Sequence, residues 1–320
     1  MGVIVINKLL KMKFIRLLNK YGVVGLIRKV LQRFLGIEKQ QESVDALFYY
    51  LNNYLIDARL LPPTNDSDLR IMQKCDAALL VILDKICKKY NLTYWLDFGT
   101  LLGAQRHKGF IPWDDDMDVS ILREDYYKLV PILKEELKGE DFDIKEYNGR
   151  IGFGYKHYKT GIWCDIFPVD FYKSSMEFEV SVVVLKKKIM KFRSAYNDIM
   201  NKKTREEIEK IRTTIINDEP NYSNSIIYHG REFNHLHPNA FYTYDEVFPL
   251  SSIEFEGYKL SSPRDAHTYL TKIFSENYLQ VPRGGILHHD EGRGALSTWA
   301  KRNKIDMYSI YEYLINFDIK

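Results

Sequence analysis

The sequence predicts an α+β fold: a small mixed sheet wrapped by helices, with a helical extension ahead of it. Three observations carry this. Leu69, Met72, Leu79, Leu80, Leu83 and Ile86 recur at helical spacing. Residues 151–158 and 162–169 flank Lys159-Thr160-Gly161, the pattern of a β-hairpin. Between these, the acidic run Asp114-Asp115-Asp116-Met117-Asp118 opens directly into the strand-like Val119-Ser120-Ile121-Leu122.

The chain has 320 residues, 45% hydrophobic and 28% charged, which excludes wholesale disorder and suits one large domain or two smaller ones. The net charge of +3 gives no reason to expect a nucleic-acid partner. Three cysteines, Cys75, Cys87 and Cys164, form no CxxC pair. Cys75 and Cys87 fall on one helix about 18 Å apart, beyond disulfide reach. Reduced cysteines point to the cytoplasm. The most apolar stretch, 180–185, is too short to span a bilayer and runs into Lys186-Lys187-Lys188.

Residues 1–65 read as a basic amphipathic helical extension and 66–320 as the main domain. Before Glu38 there is no acidic residue, while Lys8, Lys11, Lys13, Arg16, Lys20, Arg28, Lys29 and Arg33 alternate with apolar residues. Residues 1–40 therefore suit an anionic membrane surface; docking on the main domain is the alternative. A further helix over 43–61 is expected to end at Pro62-Pro63. Asn65-Asp66-Ser67-Asp68 supplies start signals for the next, which runs to about Tyr90, with Asn91 as its stop. Tyr94-Trp95-Leu96 begins a strand. A helix is expected over 125–137, mostly helical chain over 176–216, a short strand near 254–260 and a helix over 263–274.

The segment from Asp97 to Asp118 holds the chemistry. In Asp97-Phe98-Gly99-Thr100-Leu101-Leu102-Gly103 a strand enters a Gly-Thr turn that opens a helix. Gly99 lets backbone approach a ligand, and N–H groups at a helix start favour phosphate. In an extended chain Asp116 and Asp118 share a face; two such carboxylates repel unless a cation sits between them. Mg²⁺ is commonly held by one or two carboxylates plus substrate phosphates. Asp165, in the second hairpin strand among apolar neighbours, would be costly to bury unpaired and would gain a cation partner beside Asp116 and Asp118. An EF-hand reading of Asp114, Asp116 and Asp118 fails, because position six is Val119 and position twelve is Asp125.

The order Gly-Thr, Asp-x-Asp on a strand, then a lone Asp on a later strand resembles the DNA polymerase beta-like nucleotidyltransferase superfamily. The longer strings resemble the LicD/fukutin-related family: 97–103 through Ile111-Pro112-Trp113-Asp114-Asp115-Asp116-Met117-Asp118, then Asp165-Ile166-Phe167-Pro168, Val247-Phe248-Pro249-Leu250 and Phe255-Glu256-Gly257. The resemblance covers roughly 68–290. It implies transfer of a phospho-alcohol, phosphocholine foremost, from CDP-choline or another CDP-alcohol to a glycan or lipid-linked glycan acceptor, with Mg²⁺ or Mn²⁺. It assigns catalysis and metal binding to Asp116, Asp118 and Asp165; the Gly-Thr turn itself points to donor binding at Gly99, Thr100 and Gly103, with Arg106 and Lys108 beside them. Arg106 and Lys108 are expected at the donor phosphates because they lie between the Gly-Thr turn and the acids. Asp114 and Asp115 read either as further ligands or as a solvated turn pair.

Two rivals stand beside this reading. A glycosyltransferase also binds a nucleotide diphosphate through Asp-x-Asp and a metal, but has no need of the preceding Gly-Thr turn or of Asp165. A membrane-bound scaffold would have no need of an intact acid set. For a choline donor, Trp95, Trp113, Tyr155, Tyr158 and Trp163 offer aromatic surface; for a polyol donor, Asn148, Lys156 and His157 offer polar contacts. His235, His237, His288 and His289 read as loop residues, with an acceptor contact at His288-His289-Asp290 as the sharper alternative.

Overall fold

The computed structural model describes residues 57–319 except 148, 157–159, 174, 200–204, 217–224, 231–238, 281–294 and 305. The basic extension over 1–40, most of the expected 43–61 helix, and His235, His237, His288 and His289 lie outside the described residues, as do Asn148, His157 and Tyr158.

The first described residues form no α-helix. Asp57 bridges Gln280, the Ala58 N–H donates to the Leu279 carbonyl (2.8 Å), and Ala58–Leu60 make one 3-10 turn. Ala58 is fully buried, so residues 57–61 pack on the main domain rather than belonging to a separate extension.

Helix α1 (Ser67–Lys89) follows, with Asp66 accepting from the Asp68 and Leu69 N–H groups as its N-cap. Its apolar rows, from Leu69 to Ile86, are buried. Asn91 ends it in the left-handed region at φ 54°. Then come β1 (Tyr94–Leu96), α2 (Phe98–His107), β2 (Met117–Leu122), α3 (Arg123–Glu136), β3 (Phe142–Tyr147), β4 (Arg150–Tyr155) and β5 (Trp163–Lys173). Helices α4 (Phe178–Ile199) and α5 (Arg205–Ile216), strands β6 (Ser225–His229) and β7 (Phe241–Tyr242), and the short α6 (Tyr244–Val247) come next. A hairpin of β8 (Ser251–Phe255) and β9 (Tyr258–Ser262), then α7 (Ala266–Phe274), α8 (Ala295–Asn303) and α9 (Met307–Ile315), complete the chain.

The main sheet has the order β1-β2-β5-β4-β3, with β6 and β7 continuing from the far end of β5. Among the described residues only β2 and β5 run parallel, and every other pairing is antiparallel. The expected hairpin over 151–169 is β4–β5. Strand β3 was not anticipated, because Phe142-Asp143-Ile144-Lys145-Glu146-Tyr147 is half polar, as an edge strand allows. The single strand expected near 254–260 is instead two strands, turned at Glu256 (φ 49°) and Gly257 (φ 84°). Among the described residues no helix is long and apolar enough to cross a membrane.

Candidate active site

The parallel pairing of β2 with β5 builds the site. It sets Asp118 and Asp165 as register partners on adjacent strands, so both side chains rise from the same face. Asp116 sits one residue ahead of β2, exposed. Carboxylate oxygens of Asp114, Asp115 and Asp116 lie within 4.8 Å of one another. Asp114 and Asp115 are 8% and 6% exposed, so they are not a solvated turn pair.

The acid loop is clamped from two sides. Gln73 on α1 donates to the Asp114 carbonyl (2.9 Å). Glu256, in the β8–β9 turn, takes a two-pronged ion pair from Arg70 (2.8 and 2.7 Å) and an N–H from Phe110 (3.2 Å). Gly109 lacks the Cβ that would sit 2.4 Å from the Glu256 carboxylate. The Phe255-Glu256-Gly257 string, about 150 residues along the chain, therefore acts on the acid loop by holding its entry.

Helix α2 starts against the same acids. Asp97 caps it, and Thr100 Oγ1 accepts from the Asp118 N–H (2.8 Å), tying the first turn to β2. A Cβ on Gly99 would meet the Asp114 carboxylate at 3.0 Å, so this glycine lets an acid approach the positive end of the helix. Gly103 serves packing instead: its Cβ would lie 2.5 Å from the Gly109 carbonyl.

Burial, then Asp116, Asp165, Asp114 and Asp97, push the Asp118 carboxyl well above the usual range. Burial and its acidic neighbours do the same to Asp114. Burial raises Asp165 too, opposed by three groups that favour its charge. Tyr147 and Trp163 Nε1 (3.0 Å) donate to its Oδ1, and Arg150 Nε stands 3.1 Å from its Oδ2. Room for this comes from Gly152 and Gly154, where added Cβ atoms would fall 2.0 and 2.1 Å from the Trp163 ring. The clustered carboxylate oxygens of Asp114, Asp115 and Asp116, with no sulfur or nitrogen among them, suit a hard divalent cation such as Mg²⁺ or Mn²⁺.

Two expectations need correction. Arg106 is buried and turned elsewhere: its guanidinium donates to the Gln280 carbonyl, and burial lowers it to about 10. Lys108 caps α2 in the left-handed region and pairs with Glu254 (3.2 Å). The end of α2 is held on the β8–β9 hairpin, where the Lys108 carbonyl accepts from the Glu256 N–H (2.8 Å), and Arg106, still within α2, faces Gln280 rather than the acids. Among the described residues the cation paired with these acids is Arg150, which the sequence reading passed over because it stands fifty residues from Thr100 among ordinary hairpin residues. Of the five aromatics, Trp163 contacts Asp165. Trp95 is a core residue bonded to Tyr269 (3.2 Å), Tyr155 packs on Tyr313, and Trp113 packs against the core. Lys156 pairs with Asp141.

Behind the acids lies a buried network the sequence did not single out. Asp97, fully buried, accepts from Ser120 (2.5 Å), Tyr269 (2.9 Å) and the Phe98 N–H (2.7 Å), and lies 2.7 Å from His229 Nε2. Burial alone would raise its carboxyl; His229 and these donors hold it below the usual range. His229 stacks on Phe98, whose φ of 40° is unusual for a bulky residue. Asp76 on α1, also fully buried, accepts from the Trp163 N–H (3.1 Å).

A helix start packed on a sheet that carries a paired acid set is the arrangement of a nucleotidyltransferase-like domain. Residues 91–209 match the family model described as LicD/FKTN/FKRP, nucleotidyltransferase domain. Similar curated proteins agree. The lipopolysaccharide cholinephosphotransferase LicD of Haemophilus influenzae is 44% identical over 68 residues, 21% of this chain and 26% of that protein. The mouse ribitol 5-phosphate transferase FKRP is 38% identical over 72 residues, 22% of this chain and 13% of that protein. The mouse ribitol-5-phosphate transferase FKTN is 32% identical over 77 residues, 24% of this chain and 15% of that protein. The similarity to these three spans about a quarter or less of each relative's length.

Proposed function

We propose that this protein is a metal-dependent phosphotransferase that moves a phospho-alcohol group from a CDP-linked donor to a sugar hydroxyl of a cell-surface glycan precursor. The observation that carries the reading is the pairing of Asp118 with Asp165 across β2 and β5, with Asp116 adjacent and the start of α2 packed against them. Relatives named as cholinephosphate and ribitol-phosphate transferases support the reaction class.

In this reading Asp116, Asp118 and Asp165 hold Mg²⁺ or Mn²⁺. When bound, the ion supplies charge stabilisation for the transferring phosphoryl group. The start of α2, at Gly99 and Thr100, and the Arg150 guanidinium face donor phosphates. The acceptor hydroxyl attacks the β-phosphorus that bears the alcohol. A new P–O bond forms to the sugar, the bond to CMP breaks, and the hydroxyl proton passes to Asp165, whose orientation Tyr147 and Trp163 set. Positioning and charge stabilisation do most of the work.

We propose phosphocholine as the transferred group. Tyr147 and Trp163 stand beside Asp165, and the Arg150 guanidinium already lies 4.7 Å from the Tyr147 ring centre. Aromatic faces next to a carboxylate suit a quaternary ammonium. A cytoplasmic location fits three free, buried cysteines. The test is a panel of CDP-choline, CDP-ribitol and CDP-glycerol with Mg²⁺, read as CMP release. CDP-choline is expected to give the highest turnover. Preference for another CDP-alcohol would overturn the choline assignment alone, and release from none of them would overturn the reaction.

A further inference from the structure

Four of the large apolar side chains that stand exposed among the described residues fall between Met176 and Met190. Met176, Val180, Val183 and Met190 are 45%, 51%, 54% and 65% exposed. Val180, Val183 and Met190 follow one another at i, i+3 and i+10, the spacing of a single helical face, along α4, and Met176 lies in the bend just ahead of it. Position 187 completes the row and is an exposed lysine; Lys191, also exposed, lies beside it. The opposite face of α4 carries the folding load. Leu185, Ile189 and Phe192 are buried with Tyr172, Ile216, Ile226, Tyr228 and Phe241. The outer row therefore contributes little to the core.

Charge is divided along the helix: Glu177 and Glu179 stand exposed at its start, whereas from Val180 to Asn197 there is no Asp or Glu, against Lys186, Lys187, Lys188, Lys191 and Arg193. Lys188 is engaged with the Ile216 carbonyl (2.8 Å) and Lys186 reaches Asn239 (3.3 Å), whereas Lys187 and Lys191 stand in solvent on the apolar side.

We propose that this outer face of α4 docks on an anionic lipid membrane. Such a surface offers an apolar layer for the methionines and valines and negative headgroups for the lysines. A second copy of the chain fits poorly, because a two-fold contact would set Lys187 and Lys191 against the same residues of the other copy. The acids stand at the start of β5 and α4 follows its end, so the docking face is separate from the acid chemistry and does not depend on how that chemistry is read.

The experiment uses the full chain with Val183→Cys carrying an environment-sensitive dye; the native cysteines are buried and stay unlabelled. The control carries the dye at Lys134→Cys on exposed α3 surface. Vesicles of phosphatidylcholine with phosphatidylglycerol should shift the Val183→Cys emission to the blue and leave the control unchanged. Phosphatidylcholine alone, or high salt, should abolish most of the shift. Adding Lys187→Glu and Lys191→Glu should raise the lipid concentration for half-maximal shift about 10-fold or more. No shift with anionic vesicles would overturn the proposal. So would emission already blue without vesicles: if it grows with protein concentration, a second copy covers the face; if it is lost on deleting 1–40, the chain's own extension does.

Discussion

Asp118 and Asp165 face the same side of the sheet from parallel neighbours, yet among the described residues side-chain donors, Tyr147 and Trp163, reach Asp165 alone. Asp118 meets mainly other acids and is pushed up by burial and by them. The two carboxylates are thus unequal before any ion binds. Asp116→Asn and Asp118→Asn should each lower turnover about 100-fold or more, through lost charge stabilisation of the phosphoryl group. Thermal stability without metal should hold or rise, because one of several repelling charges is gone. Near-normal turnover by both variants would remove the acids from the reaction.

Arg150 should act on donor binding. Arg150→Lys keeps the charge but loses the planar fork; the expected result is a KM for the CDP-alcohol raised about 10-fold with kcat less affected. Arg106→Lys, by contrast, should leave KM unchanged and lower the melting temperature, since its guanidinium serves the Gln280 carbonyl. A reversed pattern in steady-state kinetics would return Arg106 to the donor site.

Gly152 lets the Trp163 ring lie flat on β4. Gly152→Ala should force that ring away, costing about 1–3 kcal/mol of stability and removing the Trp163 donor from Asp165. Denaturant titration measures the first effect and Trp fluorescence the second. An unchanged indole environment would show that the ring has room to spare.

Asp97 joins α2, β2, β6 and α7 at one carboxylate. Asp97→Asn leaves His229, Ser120 and Tyr269 without their charged partner and should cost about 3 kcal/mol or more at neutral pH. The pH dependence has a definite sign. The folded carboxyl lies below its unfolded value, so its stabilisation is present in full above the unfolded value of about 3.9 and is lost as pH falls through the folded one. The difference between wild type and variant should therefore shrink on acidification below about pH 4. Urea melts across that range test it; a constant difference would exclude an ionic role for Asp97.

Cys75, Cys87 and Cys164 are each fully buried, and burial pushes all three thiols up. None should react with a thiol reagent in the native protein, and all three should react in denaturant. Rapid labelling of any one without unfolding would contradict the packing of α1 against β5.

The sequence by itself determined what local chemistry can write. The periodic apolar rows of α1, the stop at Asn91, the hairpin of β4 and β5, and the strand that follows the acidic run were all legible, because each depends on residues within a few positions. Tertiary structure alone decided which distant groups meet. Arg150 reaches Asp165 because β4 pairs with β5, Glu256 reaches the Phe110 N–H because a hairpin folds back on the loop after α2, and His229 reaches Asp97 because β6 continues the sheet from the end of β5. Arg106 and Lys108 sit close to the acids in sequence but are engaged elsewhere, Arg106 by the Gln280 carbonyl and Lys108 by Glu254. Charge and spacing along a chain carry no record of which way a helix end turns or which strand adds to an edge; those follow from how the whole core packs.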